Sequence, residues 1–381
     1  MASRHLIALT LAYSLRKPTK KLSFANRRRF VQKLFVLNGL LRSDEMLDVA
    51  AARINLAKLR LAFCHAHKCC SDKLGRRDFM VVYRELSSIE KDLGYPAKTL
   101  YGLSNNLEKH YHNVYIPKSD GTKRKLSVPD LILKNVQRSI AENILAHYPV
   151  SKHATAYKRG SSVQKNAAPH VNKNKILKLD IEGFFDNIIY SKVKDVVFYE
   201  SKFSEPIRIL LTMLCYYKES LPQGAPTSPA ITNIIMYDFD ETVGEYCKAR
   251  GISYTRYCDD MTFSGDFDER EVISLVKGEL KKLGLFLKSR KTAVIHGSKR
   301  QTVTGIVVNE KINLTKEYKK KIRQEMYYIE KFGIESHAKN QGISDIPAYL
   351  LSLKGRIAFV LQTCPDDKEF AKYKSAIGSI G

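Results

Sequence analysis

The stretch SYTRYCDDMTFSG, Ser253 to Gly265, sets two adjacent carboxylates, Asp259 and Asp260, between two segments that read as strands. ISYTRY and MTFSG are rich in Tyr, Thr, Ile and Phe, residues that suit a pleated, half-buried surface. The pattern predicts a hairpin whose hinge carries two mutually repelling charges. Such a hinge is either a solvated turn, where Asp is common, or a device that presents carboxylate oxygens to a divalent metal. The rest of the chain decides between them. KILKLDIEGFFDNI supplies another apolar strand, and this one ends in Asp180. Between the two lie a helical pattern to about Tyr217, the loop SLPQGAPTSPAITN and a second helix to about Arg250. Metal-assisted phosphoryl transfer needs carboxylates from separate strands converging on two divalent ions. Mg2+ takes oxygen ligands, one or two of them carboxylates, with substrate phosphates completing the set. A ferredoxin-like antiparallel sheet brings two such elements side by side.

Composition narrows the partner. The 381 residues carry 64 Lys+Arg against 39 Asp+Glu, a net charge of +25, and a field of that sign suits a polyanion. A hydrophobic fraction of 44% with 21 Tyr and 16 Phe describes a folded protein rather than a disordered basic tail. No apolar run reaches the length of a membrane span. The opening MASRHLIALTLAYSLRKPTKK is interrupted by Thr10, Tyr13 and Ser14 and lacks a small-residue cleavage site, so it reads as an amphipathic helix of a cytoplasmic protein. Seven unevenly spread cysteines fit reduced thiols. The cluster CHAHKCC, Cys64 to Cys70, has no second half at zinc spacing and is not read as a metal site.

Up to about Tyr95 the pattern is helical and basic, with Phe30, Leu34, Leu37 and Leu41 at helical spacing behind Arg27, Arg28 and Arg29. HNVYIPKSDGTKRKLSVPD then predicts a hairpin, Val114–Ile116 and Lys125–Val128 flanking a Ser119-Asp120-Gly121 turn. Pro129 and Asp130 open an amphipathic helix. After the Asp-Asp hairpin come a helix from about Glu269 to Leu283, strands at Leu285–Lys288 and Thr302–Val308, and a Lys-rich helical end.

In combination, LKLDIEGFF, LPQGAPTSPAITN, YCDD, LGLFLKSRKT and VTGIVVN resemble, in order, the palm motifs of reverse transcriptases from about Tyr101 to Asn309. NAAPH, Asn166 to His170, and VTG, Val303 to Gly305, resemble elements of the bacterial retron enzymes. The resemblance implies an α+β right-hand polymerase. Its parts would be a helical basic N-terminal region (1–99), fingers (100–170), a palm with a ferredoxin-like sheet (171–310) and a helical thumb (311–381). It implies Asp180, Asp259 and Asp260, with the Ile181 carbonyl, as ligands of two Mg2+ ions, for which Mn2+ could substitute. Lys291 would protonate the departing pyrophosphate, although Lys288 stands where the family often has Asn. Phe185 would lie under the incoming sugar and reject a 2′-hydroxyl, with Phe184 in the core, and Tyr257 would support the primer end. Gln223 and Gly224 would lie beneath the template base and nucleotide, a glycine there allowing close backbone approach. Arg124 and Lys158 or Arg159 would grip the triphosphate. Asn166, His170, Val303, Thr304 and Gly305 would select RNA. Lys319, Lys320, Lys321 and Arg323, on a basic helix, would track its backbone.

The activity so implied is reverse transcription of a cognate noncoding RNA, from dNTPs, into a branched RNA–DNA product in the bacterial cytoplasm. A toxic effector protein would be the partner in anti-phage defence, and no membrane is involved. Two other readings compete: an intron-type or other defence polymerase without a cognate retron RNA, and a non-catalytic RNA-binding scaffold with a relic palm. A relic has no reason to keep three repelling carboxylates.

Overall fold

The computed structural model describes residues 82–117 and 121–378; the basic N-terminal segment through Val81, with its CHAHKCC cluster, and the Ser119-Asp120 tip lie outside them. Helices α1 (Leu86–Leu93) and α2 (Ala97–Asn105) lead into the antiparallel pair β1 (Tyr111–Pro117) and β2 (Lys123–Pro129). Asp130 then caps α3 (Leu131–Asn143), its carboxylate accepting from the Leu133 amide at 3.0 Å, which satisfies one of the donors a helix start leaves free. The short α4 (Val163–Ala167) carries the start of NAAPH.

The central sheet has four antiparallel strands in the order β4-β5-β3-β6: β3 (Lys175–Asp180), β4 (Ser253–Tyr257), β5 (Asp260–Ser264) and β6 (Ala293–His296). Helices α5 (Glu205–Cys215), α6 (Ser228–Ile235), α7 (Tyr237–Ala249) and α8 (Glu269–Lys282) separate the strands in sequence. Strand alternation turns Leu177, Leu179, Met261 and Phe263 into one large core that also takes Ile89, Leu100, Leu133 and Ile140. The two-residue loop Cys258-Asp259 closes β4 onto β5, with Cys258 at φ 62°. A positive φ in such a loop matches the twist of the flanking strands.

Thr302–Val308 is not one strand. It folds as the hairpin β7 (Thr302–Val303) and β8 (Ile306–Val307), because Thr304 at φ 46° and Gly305 at φ 81° reverse the chain. Leu285–Lys288 likewise forms only the single bridge Ile181↔Leu287. Helices α9 (Lys316–Phe332), α10 (Ile334–Asn340), α11 (Ile346–Thr363) and α12 (Lys368–Gly378) follow. They enclose a second core of Ile322, Met326, Leu353, Ile357 and Phe370, joined by Val303, Ile306, Ala167 and Ile176. This core draws on both sides of the palm–thumb boundary expected at 310/311. Among the described residues no helix is long and apolar enough to cross a membrane.

Candidate active site

The pairing of β3 with β5 sets Asp180 directly across from Asp260. The Ile181 amide donates to the Asp259 carbonyl at 3.1 Å, so the strand end and the hairpin turn are tied together. Ile181 itself is buried. Asp180 is buried, and Lys291 Nζ lies 2.5 Å from its Oδ2. That contact raises the Lys291 pKa, with Asp260 and Asp259 adding to it. Asp260 keeps an open face to solvent, yet the protein around its carboxyl, then Asp259 and Asp180, pushes it up to about 6. An open cleft of about 320 Å3 lies here, lined by Lys178, Asp180, Asp260, Thr262, Lys291, Thr304 and Gly305 among others.

Among the described residues no three acidic, His or Cys side chains are gathered into a ready metal cage. The donors nevertheless suit Mg2+, which binds through one or two carboxylates and leaves the remaining positions to water and phosphate. Repulsion of Asp260 by Asp259 and Asp180, opposed by Lys291, favours a further cation.

The turn that carries these carboxylates is braced from behind by a residue the sequence reading missed. Arg256 of β4 is fully buried and reaches three partners. Its Nη1 donates to the Cys258 carbonyl at 2.9 Å, its Nη2 to Asn233 Oδ1 at 3.2 Å, and its Nε and Nη2 to both oxygens of the buried Asp240. Burial alone would lower the guanidinium pKa; the Asp240 carboxylate outweighs it and the net shift is upward. Asn233 in turn donates to the Ala156 carbonyl at 3.1 Å. Tyr157, itself at φ 58°, places its hydroxyl 3.1 Å from Cys258 Sγ. Burial pushes the Cys258 thiol up to about 12, so this cysteine packs and stays inert.

On the other side of the catalytic strands, the Leu221 amide donates to the Phe185 carbonyl at 3.1 Å, joining the PQG loop to the segment after Asp180. Phe184 is in the core, while Phe185 is half-buried against it, ring to ring at 5.6 Å. Gln223 is half-buried and Gly224 exposed. Gly224 has φ 128°, and a Cβ there would lie 2.9 Å from the Ser127 carbonyl oxygen. The close approach that requires glycine is therefore to β2, where the Ser127 amide donates to the Gln223 carbonyl at 2.9 Å. Arg124 on β2 and Lys158 and Arg159 are exposed, and Tyr257 is half-buried beside Asp260.

NAAPH and VTG meet through Asn166 and Thr304. Asn166 is buried, accepts from Thr155 Oγ1 at 2.5 Å and donates to Thr304 Oγ1 at 3.3 Å. His170 is fully buried between Ser264 Oγ at 2.7 Å and Thr255 Oγ1 at 2.8 Å, and burial lowers its pKa to about 4. Val303 is a core residue. Asn166 and Val303 thus pack against the hairpin turn Thr304-Gly305 at the cleft, while His170 ties β4 to β5. With these three side chains buried, Thr304 and Gly305 are the members of the two motifs that line the cleft. The basic helix α9 divides as well. Lys319 is largely buried and pairs with Asp367 at 3.0 Å, and Arg323 pairs with Glu369 at 2.7 Å. Lys320 and Lys321 are exposed.

A four-stranded antiparallel sheet with paired carboxylates in its cleft, a docked hairpin before it and helices after it defines a right-hand polymerase. The family described as reverse transcriptase (RNA-dependent DNA polymerase) matches residues 116–321. The chain is 32% identical over 257 residues to the retron Ec86 reverse transcriptase of Escherichia coli, covering 65% of this chain and 79% of that protein. It is 32% identical to the Escherichia coli retron Ec83 enzyme (56% and 73% covered) and 29% identical to the Myxococcus xanthus retron Mx65 enzyme (68% and 63% covered). The chain belongs to the reverse transcriptase family, among the bacterial retron enzymes, and is an RNA-directed DNA polymerase.

Proposed function

We propose that this polymerase copies its own structured noncoding RNA into a branched RNA–DNA molecule, and that Asp180, Asp259 and Asp260 are its metal-binding carboxylates. The observation that carries the reading is the register of Asp180 against Asp260, with Asp259 at the adjoining turn. When bound, two Mg2+ ions (or Mn2+ in their place) supply Lewis acidity toward the attacking hydroxyl and the leaving pyrophosphate. In the priming step the 2′-oxygen of an RNA nucleotide attacks the α-phosphorus of a dNTP. A 2′,5′-phosphodiester forms, the bond to pyrophosphate breaks and the hydroxyl proton is lost.

Around that step Arg124, with Lys158 or Arg159, meets the triphosphate. Phe185 excludes a ribose 2′-hydroxyl from the incoming nucleotide, while Gln223 and Gly224 support the base pair and Tyr257 the primer end. Lys291, whose amine bonds Asp180, would give a proton to the departing pyrophosphate. The Ile181 carbonyl would add a further oxygen ligand to the ions. Names of the relatives support a cognate retron RNA as template. Defence against phage, with product and polymerase restraining a toxic effector in the cytoplasm, belongs to the same proposal.

Sequencing the nucleic acid that co-purifies with the wild-type chain, with and without debranching enzyme, tests the reading. A 2′-linked RNA–DNA product is expected, absent from Asp259→Asn although that variant still binds the RNA. An unbranched product, or synthesis by Asp259→Asn at the wild-type rate, refutes it.

A further inference from the structure

The cleft holds a cation with no part in the steps above. Lys178 stands two residues before Asp180, on the same face of β3, opposite Thr262 of β5. Its amine donates to Thr302 Oγ1 at 3.3 Å, a neutral group, and it shares the cleft lining with Asp260, Thr304 and Gly305. The other cation of the lining, Lys291, is engaged by Asp180 at 2.5 Å. Lys178 is half-buried, so its ammonium has given up hydration without an ion-pair partner among the described residues. Such a site favours an anion that arrives with the substrate.

Branched priming, on the reading proposed above, brings one anion that ordinary extension lacks. A nucleotide that primes from its 2′-hydroxyl inside an intact RNA keeps a phosphodiester on the neighbouring 3′-carbon. Covalent geometry ties that phosphate close to the reacting oxygen, so it enters the same cleft as Asp180, Asp260 and Lys178. A primer with a free 3′-hydroxyl brings no phosphate to this place. We propose that Lys178 binds the 3′-phosphodiester of the branching ribonucleotide and so allows synthesis to start from an internal 2′-hydroxyl. Lys291 is less suited, because the reading above commits its amine to the departing pyrophosphate.

The test uses the full chain with three substrates: the RNA that co-purifies with it, the same RNA ended at the branching nucleotide without a 3′-phosphate, and a 3′-hydroxyl DNA primer on an RNA template. Initiation is read as the first labelled deoxynucleotide joined. Lys178→Gln should slow initiation on intact RNA by roughly ten- to hundredfold, the range for losing one charged hydrogen bond. The loss should be several times larger than its loss on the DNA primer, and Lys178→Arg should recover part of it. Removing the 3′-phosphodiester should slow the wild type, whereas in Lys178→Gln it should be neutral or favourable. Equal losses on all three substrates, or an undiminished penalty for phosphate removal in Lys178→Gln, overturn the proposal while leaving branching intact. A wild-type enzyme that forms no 2′-linked product refutes the branching reading, and this inference with it.

Discussion

Arg256→Met isolates what the buried brace contributes. Arg256 and Asp240 are both fully buried and meet at 2.6 Å, so the substitution leaves an uncompensated carboxylate among Tyr254, Asn233 and apolar side chains. Breaking such a pair by removing one partner costs about 3–5 kcal/mol, a large part of the 5–15 kcal/mol typical of a folded domain. Neutralising the survivor should return part of that loss, so Arg256→Met/Asp240→Asn is expected to be more stable than Arg256→Met alone by about 1–3 kcal/mol. Urea unfolding followed by far-ultraviolet circular dichroism measures both; with no Trp in the chain, tryptophan emission is no alternative. Arg256→Lys keeps a charge for Asp240 but cannot reach Asp240, Asn233 and the Cys258 carbonyl together. It should stay folded and lose about tenfold or more in kcat, because the turn bearing Asp259 is no longer held. An Arg256→Met variant as stable as the wild type, or a double variant worse than the sum of the singles, would refute the reasoning.

Further outcomes follow from the same geometry. Phe185→Val should admit ribonucleotides far more readily in competition extension, and an unchanged ratio would make Phe185 a packing residue only. Gly224→Ala combines a residue at φ 128° with a Cβ 2.9 Å from the Ser127 oxygen. It should cost about 2–3 kcal/mol in docking of the loop and lower kcat/KM at least tenfold; wild-type kinetics would count against the docking. Lys320→Gln/Lys321→Gln should flatten the salt dependence of RNA binding by up to about two in the slope of log K against log salt. Lys319→Gln/Arg323→Gln should instead chiefly lower thermal stability; the reverse pattern would mean the two ion pairs open on RNA.

Much of this is legible in the sequence, and the exceptions share a cause. Period-two alternation marks Lys175–Asp180 and the two arms around Cys258-Asp259, because each of these strands buries one face. The same alternation cannot reveal that Thr304 and Gly305 adopt positive φ, and it ran β7 and β8 together; the glycine inside a strand pattern was the available sign. Lys178 lay in plain view at the alternate position to Asp180. Arg256 was also marked, as a charge at a core-facing position between Tyr254 and Cys258, but its partner Asp240 is a matter of tertiary packing. So are the enclosure of Asn166 and His170, and the pairing of Lys319 with Asp367, 48 residues further on.

The division of the interior into two cores bears on how the chain is made. The larger core is built from residues between Tyr83 and Leu287 and is complete in sequence before α9 has been translated. The smaller one needs Ala167 and Ile176 from early in the chain but waits for residues as late as Ile377. A chain growing from its N-terminus can therefore assemble the sheet that carries Asp180 and Asp260 while Ile176 is still uncovered. During that interval the nascent polymerase shows water, or a chaperone, the apolar seat of its own last helices.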